Sequence, residues 1–334
     1  MGQSLHRYLE IKVHPDIKHG SYESIRVIGE HSRTPPARVS SIEKTDKPFN
    51  WQRPTSLMYD SGTIDLLCFP GPDSVKHYAS IVATYLDLIG KDSSVTSYAE
   101  PSDRGCMEPL LASNLASLGQ VDTVVLGYVH GLKRFISSDW QGGDANDIFA
   151  WQKMRASNGT SVAFIGCRVS FWGDIAGNVV RALQRLNGVK TVLYIGKLGT
   201  LRPEIPPNQW LATGTTSMLD GELVEWRSVL DPHITCTNNV VRGAHYSLPS
   251  VLDETKDWLE THRHTFAFVD PEIGHMAKAS IQGGTDFAYL HIISDNIAKK
   301  YSYDLSNERL QQVIKDREML LTGIQDTLEQ FFTV

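Results

Sequence analysis

The stretch from residue 265 to residue 296 constrains the fold more than any other part of the chain. Its first apolar run, at residues 266–269, predicts a strand, and the amphipathic segment 273–282 predicts a helix. After two glycines, the apolar run at residues 287–293 predicts a second strand. A strand, a helix and a strand in direct succession are typical of an α/β fold.

Acidic residues follow both of these strands. Asp270 and Glu272 end the first strand, and Asp295 comes just after the second. The carboxyl ends of parallel strands line the ligand crevice of an open α/β sheet, so this unit is expected to direct three acids to one place. A strand that served only the core would not end in acids, because an unpaired carboxylate is costly to bury. The pattern therefore predicts a functional site at these strand ends.

Charge and apolar patterning exclude several classes of protein. The 334 residues carry a formal net charge of −6, and the isoelectric point of about 6.1 argues against a general nucleic-acid-binding surface. No apolar run reaches the roughly 18 residues that a membrane span requires. The four cysteines are isolated, which favours buried reduced thiols. The sequence thus predicts a cytoplasmic protein that binds neither nucleic acid nor membrane.

The chain is expected to divide near residue 60. Residues 1–60 are polar and interrupted by prolines, with short strands predicted at residues 9–13 and 24–28. This segment is interpreted as an N-terminal extension that wraps the main domain or reaches a neighbouring subunit; a partly disordered tail is the alternative. Residues 61–334 are expected to form a single α/β domain.

Apolar patterns predict the other large elements. Strands are predicted at residues 64–69, 121–128, 161–167 and 191–196, and helices at residues 74–89, 148–155, 174–186 and 307–332. Gly188 is expected to end the helix at residues 174–186 as a C-terminal cap. Shorter strands are predicted beyond Pro203.

Two motifs resemble the C-terminal signature of the nucleoside phosphorylase and nucleosidase superfamily. They are Val-Asp-Pro-Glu-Ile-Gly at residues 269–274 and Ile-Ile-Ser-Asp-Asn at residues 292–296. The resemblance recurs at residues 164–200 and, more weakly, at residues 64–82. It implies the fold of purine nucleoside phosphorylase and methylthioadenosine nucleosidase: a mixed twisted sheet with a barrel-like half, flanked by helices. It also implies a homo-oligomer that acts on a small nucleoside or nucleotide without a cofactor.

The resemblance assigns roles to the acids. Asp295 is implied to be the acid that serves N7 of the base, with Ser294 beside it in the motif, and Glu272 is implied to hold the ribose hydroxyls. Asp270 is implied to support the ribose or to orient a water. Pro271 departs from the family pattern, in which a methionine packs under the sugar.

Three further residues are candidates for the substrate site by resemblance. Asn296 resembles the nucleosidase branch, and Arg309 lies near the position of an arginine that pairs with the catalytic aspartate in some bacterial members. Tyr246 is the candidate for the aromatic that stacks on the nucleobase or ribose, with His245 as the second candidate.

The phosphate-binding positions of the family are altered. Gly71 matches a glycine that helps to hold phosphate, but Val75 stands where phosphorylases place an arginine. Tyr194 replaces a second arginine, and Lys197 replaces the serine or threonine of the phosphate loop. Losing two arginines and a hydroxyl removes most charge-assisted bonds to phosphate, which favours hydrolysis.

The sequence therefore predicts an enzyme that cleaves the N-glycosidic bond of a purine nucleoside or derivative, with water preferred as acceptor. Phosphorolysis is the first alternative, with phosphate as co-substrate held by Lys197 and Lys76. A non-catalytic nucleoside- or nucleotide-binding module on the same fold is the second. No metal site is predicted, because His262 and His264 are interpreted as solvated residues at a helix end.

Overall fold

The chain folds into two β-sheets with helices packed against them, as a computed structural model shows. The structure describes residues 2–45, 47–144, 147–235, 239–301 and 310–333. Within these ranges no helix is both long enough and apolar enough to cross a membrane.

The helices and strands follow one another along the whole chain. The helices are α1 (Gly2–Lys12), α2 (Pro15–His19), α3 (Pro72–Leu88), α4 (Asp103–Leu111), α5 (Asp174–Asn187), α6 (Lys256–His262), α7 (Ile273–Gln282) and α8 (Gln311–Thr333). The strands are β1 (Ser24–Gly29), β2 (Thr55–Met58), β3 (Thr63–Cys68), β4 (Thr96–Ala99), β5 (Thr123–Gly127), β6 (Phe149–Arg155), β7 (Ser161–Cys167), β8 (Thr191–Thr200), β9 (Leu211–Thr213), β10 (Thr216–Leu219), β11 (Glu222–Glu225), β12 (Val240–Arg242), β13 (His245–Ser247), β14 (Phe268–Asp270) and β15 (Asp286–Asn296).

A small sheet in the order β2-β3-β1-β4 forms the N-terminal part of the structure. Helices α1 and α3 share its core, which includes Leu9 and Ile81. The strand predicted at residues 24–28 is confirmed as β1. The strand predicted at residues 9–13 is wrong, because Leu9 lies in α1, where apolar residues recur at the four-residue spacing of a helix face. The proposed domains, 1–60 and 61–334, stay a prediction, with the small sheet drawing strands from both.

The large sheet is centred on β8. The first half of β8 lies between β5 and β15, and its last residues lie between β14 and β15. The pairings with β5 and β15 are parallel, whereas the pairing with β14 is antiparallel. This confirms a mixed sheet, and the pairings within the described residues do not close into a barrel.

Helices cover both faces of the large sheet. Helices α5 and α7 enclose one apolar core with side chains such as Val192 and Ile293. Helix α8 covers the other face, where Ile324 packs with Leu193 and Leu290. The long terminal helix is confirmed from residue 311; its predicted first turn lies in residues 302–309, outside the described residues.

The helix predicted at residues 148–155 is wrong. These residues form β6, which pairs with β7 along its whole length. From Gln152 to Arg155 the side chains alternate between half-buried and exposed positions, and this period of two belongs to a strand with one covered face. Gly188, by contrast, ends α5 in the left-handed conformation that was predicted, with a φ of 64°.

Candidate active site

The candidate site is built where β14, β8 and β15 lie side by side. Val269 of β14 and Asp295 of β15 both pair with Gly199 of β8. A β-bulge between Ile293 and Asp295 shifts the register of β15. A Cβ atom on Gly199 would lie 3.0 Å from Asp295 Oδ2 and 3.3 Å from a methyl carbon of Val269. Glycine at this position therefore lets the Asp295 carboxylate lie against β8.

Asp270 is buried behind the start of α7. Its Oδ1 accepts hydrogen bonds from the backbone N–H groups of Glu272, at 2.8 Å, and Ile273, at 2.9 Å. Only 6% of the residue is exposed. Burial alone would raise the pKa of Asp270, but His245 and His291 hold it below its usual value. Asp270 thus fixes the entry into α7, and its burial argues against direct contact with a substrate.

Two buried histidines face Asp270. His245 Nε2 lies 3.1 Å from Asp270 Oδ1, and His291 Nε2 lies 3.7 Å from Asp270 Oδ2. Ser217 Oγ lies 2.9 Å from the other ring nitrogen of His245. Burial lowers the pKa of His291 to about 4, so this ring is neutral at pH 7. A Cβ on Gly196 would lie 2.8 Å from His291 Nε2, so only glycine leaves room for the ring.

Glu272 lies next to this buried group and is half-buried. Its carboxyl group forms a hydrogen bond with the hydroxyl of Tyr194. Burial raises the pKa of Glu272 well above its usual value, and the charge of Asp270 raises it further. Tyr194 is the residue that replaces a phosphate-binding arginine in the family pattern. The structure therefore gives Tyr194 a different task, which is to hold Glu272.

Asp295 is supported by its neighbours in sequence. Ser294 Oγ donates to Asp295 Oδ1 at 2.7 Å, and the backbone oxygen of Leu198 lies 3.3 Å from the same hydroxyl. Asn296 Nδ2 donates to the backbone oxygens of Arg202 and Ile205, both at 2.8 Å. Asn296 thus fastens the segment that follows β8. Its part in substrate binding, like that of Ser294, stays a prediction, and Arg309 lies outside the described residues.

The acids come from the two strands that lie on either side of the end of β8. Val269, next to Asp270, and Asp295 both pair with Gly199, so β14 and β15 bring their acids to the carboxyl-terminal half of β8. The expected convergence assumed parallel strands, whereas β14 runs antiparallel to β8. The meeting of the three acids at one place stays a prediction.

Lys197 lies on the face of β8 opposite to Tyr194. Burial, together with the positive charges of Lys47 and Lys197, lowers the pKa of His130 to about 4. The geometry thus separates Lys197 from Glu272.

Carboxyl groups lie at the turn that contains Gly71, the turn that the family resemblance implied would bind phosphate. A Cβ on Gly71 would lie 2.8 Å from Asp174 Oδ1. The backbone N–H of Asp73 donates to Asp174 Oδ1, and the backbone N–H of Asp174 donates to Asp73 Oδ2, both at 3.1 Å. His275 Nε2 lies 2.9 Å from Asp73 Oδ2. The free N–H groups at the starts of α3 and α5, which attract anions, therefore already face carboxylates.

Asp174 is expected to make stability depend on pH. Burial and then the charge of Asp73 raise the pKa of Asp174 from 3.8 to about 7. Because the folded-state pKa is raised, the contribution of this group to stability is full below about pH 4 and is lost as the pH rises through about 7. Urea unfolding at pH 5 and pH 8 should therefore show that Asp174→Asn gains stability relative to the wild type at the higher pH. The same relative stability at both pH values would contradict this, and Asp286→Asn, at an exposed site, is the control.

Tyr246 points away from the buried acids. Its ring packs against Trp258 and Phe266, with ring centroids 5.4 and 5.2 Å away. Successive residues of β13 face opposite sides of the sheet, so His245 is the one directed at Asp270. The structure therefore places His245, the second candidate for the stacking aromatic, beside Asp270, and Tyr246 on the other side of the sheet. His262 also packs on Tyr246, and the described residues contain no cluster suited to a metal ion.

Two carboxyl groups with raised pKa values, those of Asp174 and Glu254, were not predicted from the sequence. Asp174 is distant in sequence from Gly71, which it contacts. Glu254 follows the short turn Val251–Asp253, and burial together with the charge of Asp295 raises its pKa well above the usual value. No local motif marks either residue, because each gains its environment only from packing between distant segments.

No protein-family model matches the chain. Among curated proteins, Oxidoreductase cns1 of Cordyceps militaris is 26% identical over 262 residues, which cover 70% of this chain and 32% of that protein. The chain thus spans about a third of the length of the curated relative it matches.

Two solved structures resemble the chain at a TM-score of 0.50. One is a putative methylthioadenosine nucleosidase from Weissella paramesenteroides, at 15% identity, covering 64% of this chain and 97% of that one. The other is a mutant futalosine hydrolase of Helicobacter pylori, at 11% identity, covering 62% and 99%. These likenesses confirm the predicted α/β fold, which the chain shares with these two structures.

Proposed function

We propose that this chain cleaves the N-glycosidic bond of a purine nucleoside or a derivative of one, with water as the acceptor. The observation that carries the proposal is the position of Glu272 and Asp295. In a nucleosidase-type fold, Glu272 follows β14 and Asp295 lies in β15, and these two strands lie on either side of the last residues of β8. A ligand that lies across this end of β8 would meet Glu272 with its sugar and Asp295 with its base.

The chemistry requires few groups. The base leaves poorly until a proton reaches its ring nitrogen, so Asp295 donates a proton to N7 as the C–N bond breaks. The sugar carries positive charge in the transition state, and a water molecule then adds to its anomeric carbon. Glu272 holds the ribose hydroxyls during this change. Both roles follow from the resemblance, and the contacts of each residue support them.

Glu272 is prepared for this task before a ligand binds. Burial and the charge of Asp270 raise the pKa of Glu272 well above its usual value and so favour the protonated carboxyl, a form that can both donate to and accept from hydroxyl groups. Asp270 fixes the backbone of Glu272, and Tyr194 holds its side chain. A group held in place needs little reorganisation during the reaction, which is the main requirement for electrostatic catalysis.

Three features support water over phosphate. Tyr194 replaces an arginine and bonds to Glu272. Lys197 lies on the other face of β8 from Tyr194. The carboxyl group of Asp174 lies at the Gly71 turn, where it would repel phosphate. A phosphorylase would need cationic groups at these positions, because phosphate is held mainly by charge-assisted hydrogen bonds.

Base release is therefore expected to proceed at the same rate with and without inorganic phosphate. Release of free base from a panel of nucleosides and nucleotides would be followed in phosphate and in sulfate at equal ionic strength. The expected sugar product is the free sugar. A requirement for phosphate together with formation of a sugar 1-phosphate would overturn the choice of acceptor and would make Lys197→Ala the next variant.

The name of the curated relative refers to redox chemistry, but this chain matches about a third of that protein. The rival on the same fold is a non-catalytic nucleoside- or nucleotide-binding module. The raised pKa of Glu272 beside Asp270 argues for catalysis over simple binding, since perturbed carboxyls cluster at catalytic sites.

A further inference from the structure

Two serines and a histidine lie behind the start of α7. Strand β13 pairs with β10 on one side and with β14 on the other, so that Ser217 lies beside His245 and Ser247 lies beside Asp270. All four side chains are buried. Ser217 Oγ lies 2.9 Å from His245 Nδ1 and 3.4 Å from Ser247 Oγ. With the 3.1 Å approach of His245 Nε2 to Asp270 Oδ1, these four residues form one buried polar network.

The buried polar network supplies acceptors to three successive backbone N–H groups. Asp270 Oδ1 accepts from Glu272 and Ile273 at 2.8 and 2.9 Å. Ser247 Oγ accepts from the N–H of Gly274 at 2.8 Å. A Cβ on Gly274 would lie 2.6 Å from Ser247 Oγ, so a larger residue would force α7 away from the network. The first N–H groups of a helix have no partner within the helix, and here two buried side chains satisfy three of them.

These contacts fix the direction in which the Glu272 side chain leaves the backbone. The N–H groups of Glu272 and of the next residue both donate to Asp270, so the peptide groups on either side of the Glu272 Cα are held. Glu272 has a φ of −103° and a ψ of −38° in this arrangement, and its carboxyl group bonds to Tyr194. The position of that carboxyl group therefore depends on where Asp270 lies.

His245 holds Asp270 in its place. It faces Oδ1, the carboxylate oxygen that accepts from both N–H groups, whereas His291 Nε2 lies 3.7 Å from Oδ2. His245 is thus the nearer of the two histidines. Without it the buried carboxylate would lose a partner, and would have to turn toward another donor or take up a proton. Either change weakens the bonds to the start of α7, because an ionised acceptor makes the stronger hydrogen bond.

We infer that His245 is a positioning residue for base release, which acts through Asp270 to keep the Glu272 carboxyl group where the ribose hydroxyls bind. The inference rests on the proposed function, in which Glu272 holds these hydroxyls. His245 needs no contact with the substrate. Ser217 supports it by fixing the imidazole ring through the nitrogen that faces away from Asp270.

A double-variant comparison tests the inference. With adenosine or inosine, whichever the wild type cleaves faster, His245→Ala is expected to lower kcat/KM about 100-fold, as a displacement of about 1 Å can do. In a Glu272→Gln background the same substitution should cause little further loss, because residues that act as a unit are not additive. The 2′-deoxy analogue, which lacks one of the hydroxyls, should show a smaller loss from His245→Ala. His264→Ala, at an exposed position, is the control and should retain the wild-type value.

Hydrogen exchange provides a measurement that needs no substrate. The amide hydrogens of residues 272–274 are expected to exchange faster in His245→Ala than in the wild type, whereas those in the middle of α8 should be unchanged. His245→Gln keeps a side-chain N–H that can face Asp270, so it should recover part of both the slow exchange and the rate. Ser217→Ala, which removes only a hydroxyl, should show the pattern of His245→Ala with a smaller loss, and it takes the place of that variant if His245→Ala does not fold.

Three results would overturn the role of His245 while leaving the proposed function intact. They are losses that multiply in the double variant, equal losses for the ribonucleoside and its 2′-deoxy analogue, and unchanged exchange at residues 272–274. Absence of base release by the wild type would instead contradict the proposed function, and the role of His245 in it.

Discussion

Replacing Asp295 by asparagine is expected to lower the rate of base release by about 100- to 10,000-fold, the usual contribution of a general acid. Asparagine keeps the size and the hydrogen-bond acceptor that Ser294 uses at 2.7 Å, but it cannot deliver a proton to the base. The rate constant at saturating nucleoside is the measurement, and the Michaelis constant should change less than the rate constant.

Asp286→Asn is the matched control, because Asp286 is an exposed aspartate at the other end of the same strand. It should retain the wild-type rate. Thermal unfolding of both variants separates a loss of chemistry from a loss of fold. An Asp295→Asn variant that is folded and as active as the wild type would remove Asp295 from the mechanism.

Asp270→Ala is expected to destabilise the fold by about 3–5 kcal/mol, the cost of removing one partner from a buried charged group. The substitution leaves two backbone N–H groups at the start of α7 without an acceptor and leaves His245 without its carboxylate. The free energy of unfolding in urea is the measurement.

Asp270→Asn should recover part of this loss, because its side-chain oxygen can still accept from the N–H groups of Glu272 and Ile273. Asp286→Ala, at an exposed position, should be close to neutral. If Asp270→Ala unfolds at the same urea concentration as the wild type, the carboxylate does not hold α7 in place, and the stated basis for the orientation of Glu272 fails.

The elements between residues 265 and 296 could be predicted from the sequence. Helix α7 has the predicted bounds, and β14 and β15 each lie within a few residues of their predicted runs. These patterns are local: apolar periodicity, the glycine pair and the acids at strand ends are all visible in a short window.

The direction of a strand could not be predicted in the same way. The three residues of β14 contain no signal that its neighbour β8 runs in the opposite direction. The faces on which Tyr246 and His245 lie could not be predicted for a related reason. Because strand side chains alternate, a difference of one residue reverses the face, and only the packed structure fixes which face meets Asp270.

The carboxyls of Asp174 and Glu254 illustrate a third limit. Asp174 contacts Gly71, which is distant in sequence. The pKa of Glu254 is raised in part by the charge of Asp295, which is also distant in sequence. Their raised pKa values arise from burial by segments that meet only in the folded chain. A single sequence contains no local pattern that predicts which distant segments pack against each other.

The most direct test of N-glycosidic cleavage is single-turnover release of free purine, with enzyme in excess over each nucleoside or nucleotide of a panel. The wild type is expected to release the base from at least one compound without phosphate, and Asp295→Asn is expected to lose this release. Binding of one compound by the wild type without release of its base from any member of the panel would contradict cleavage and would establish the binding module instead.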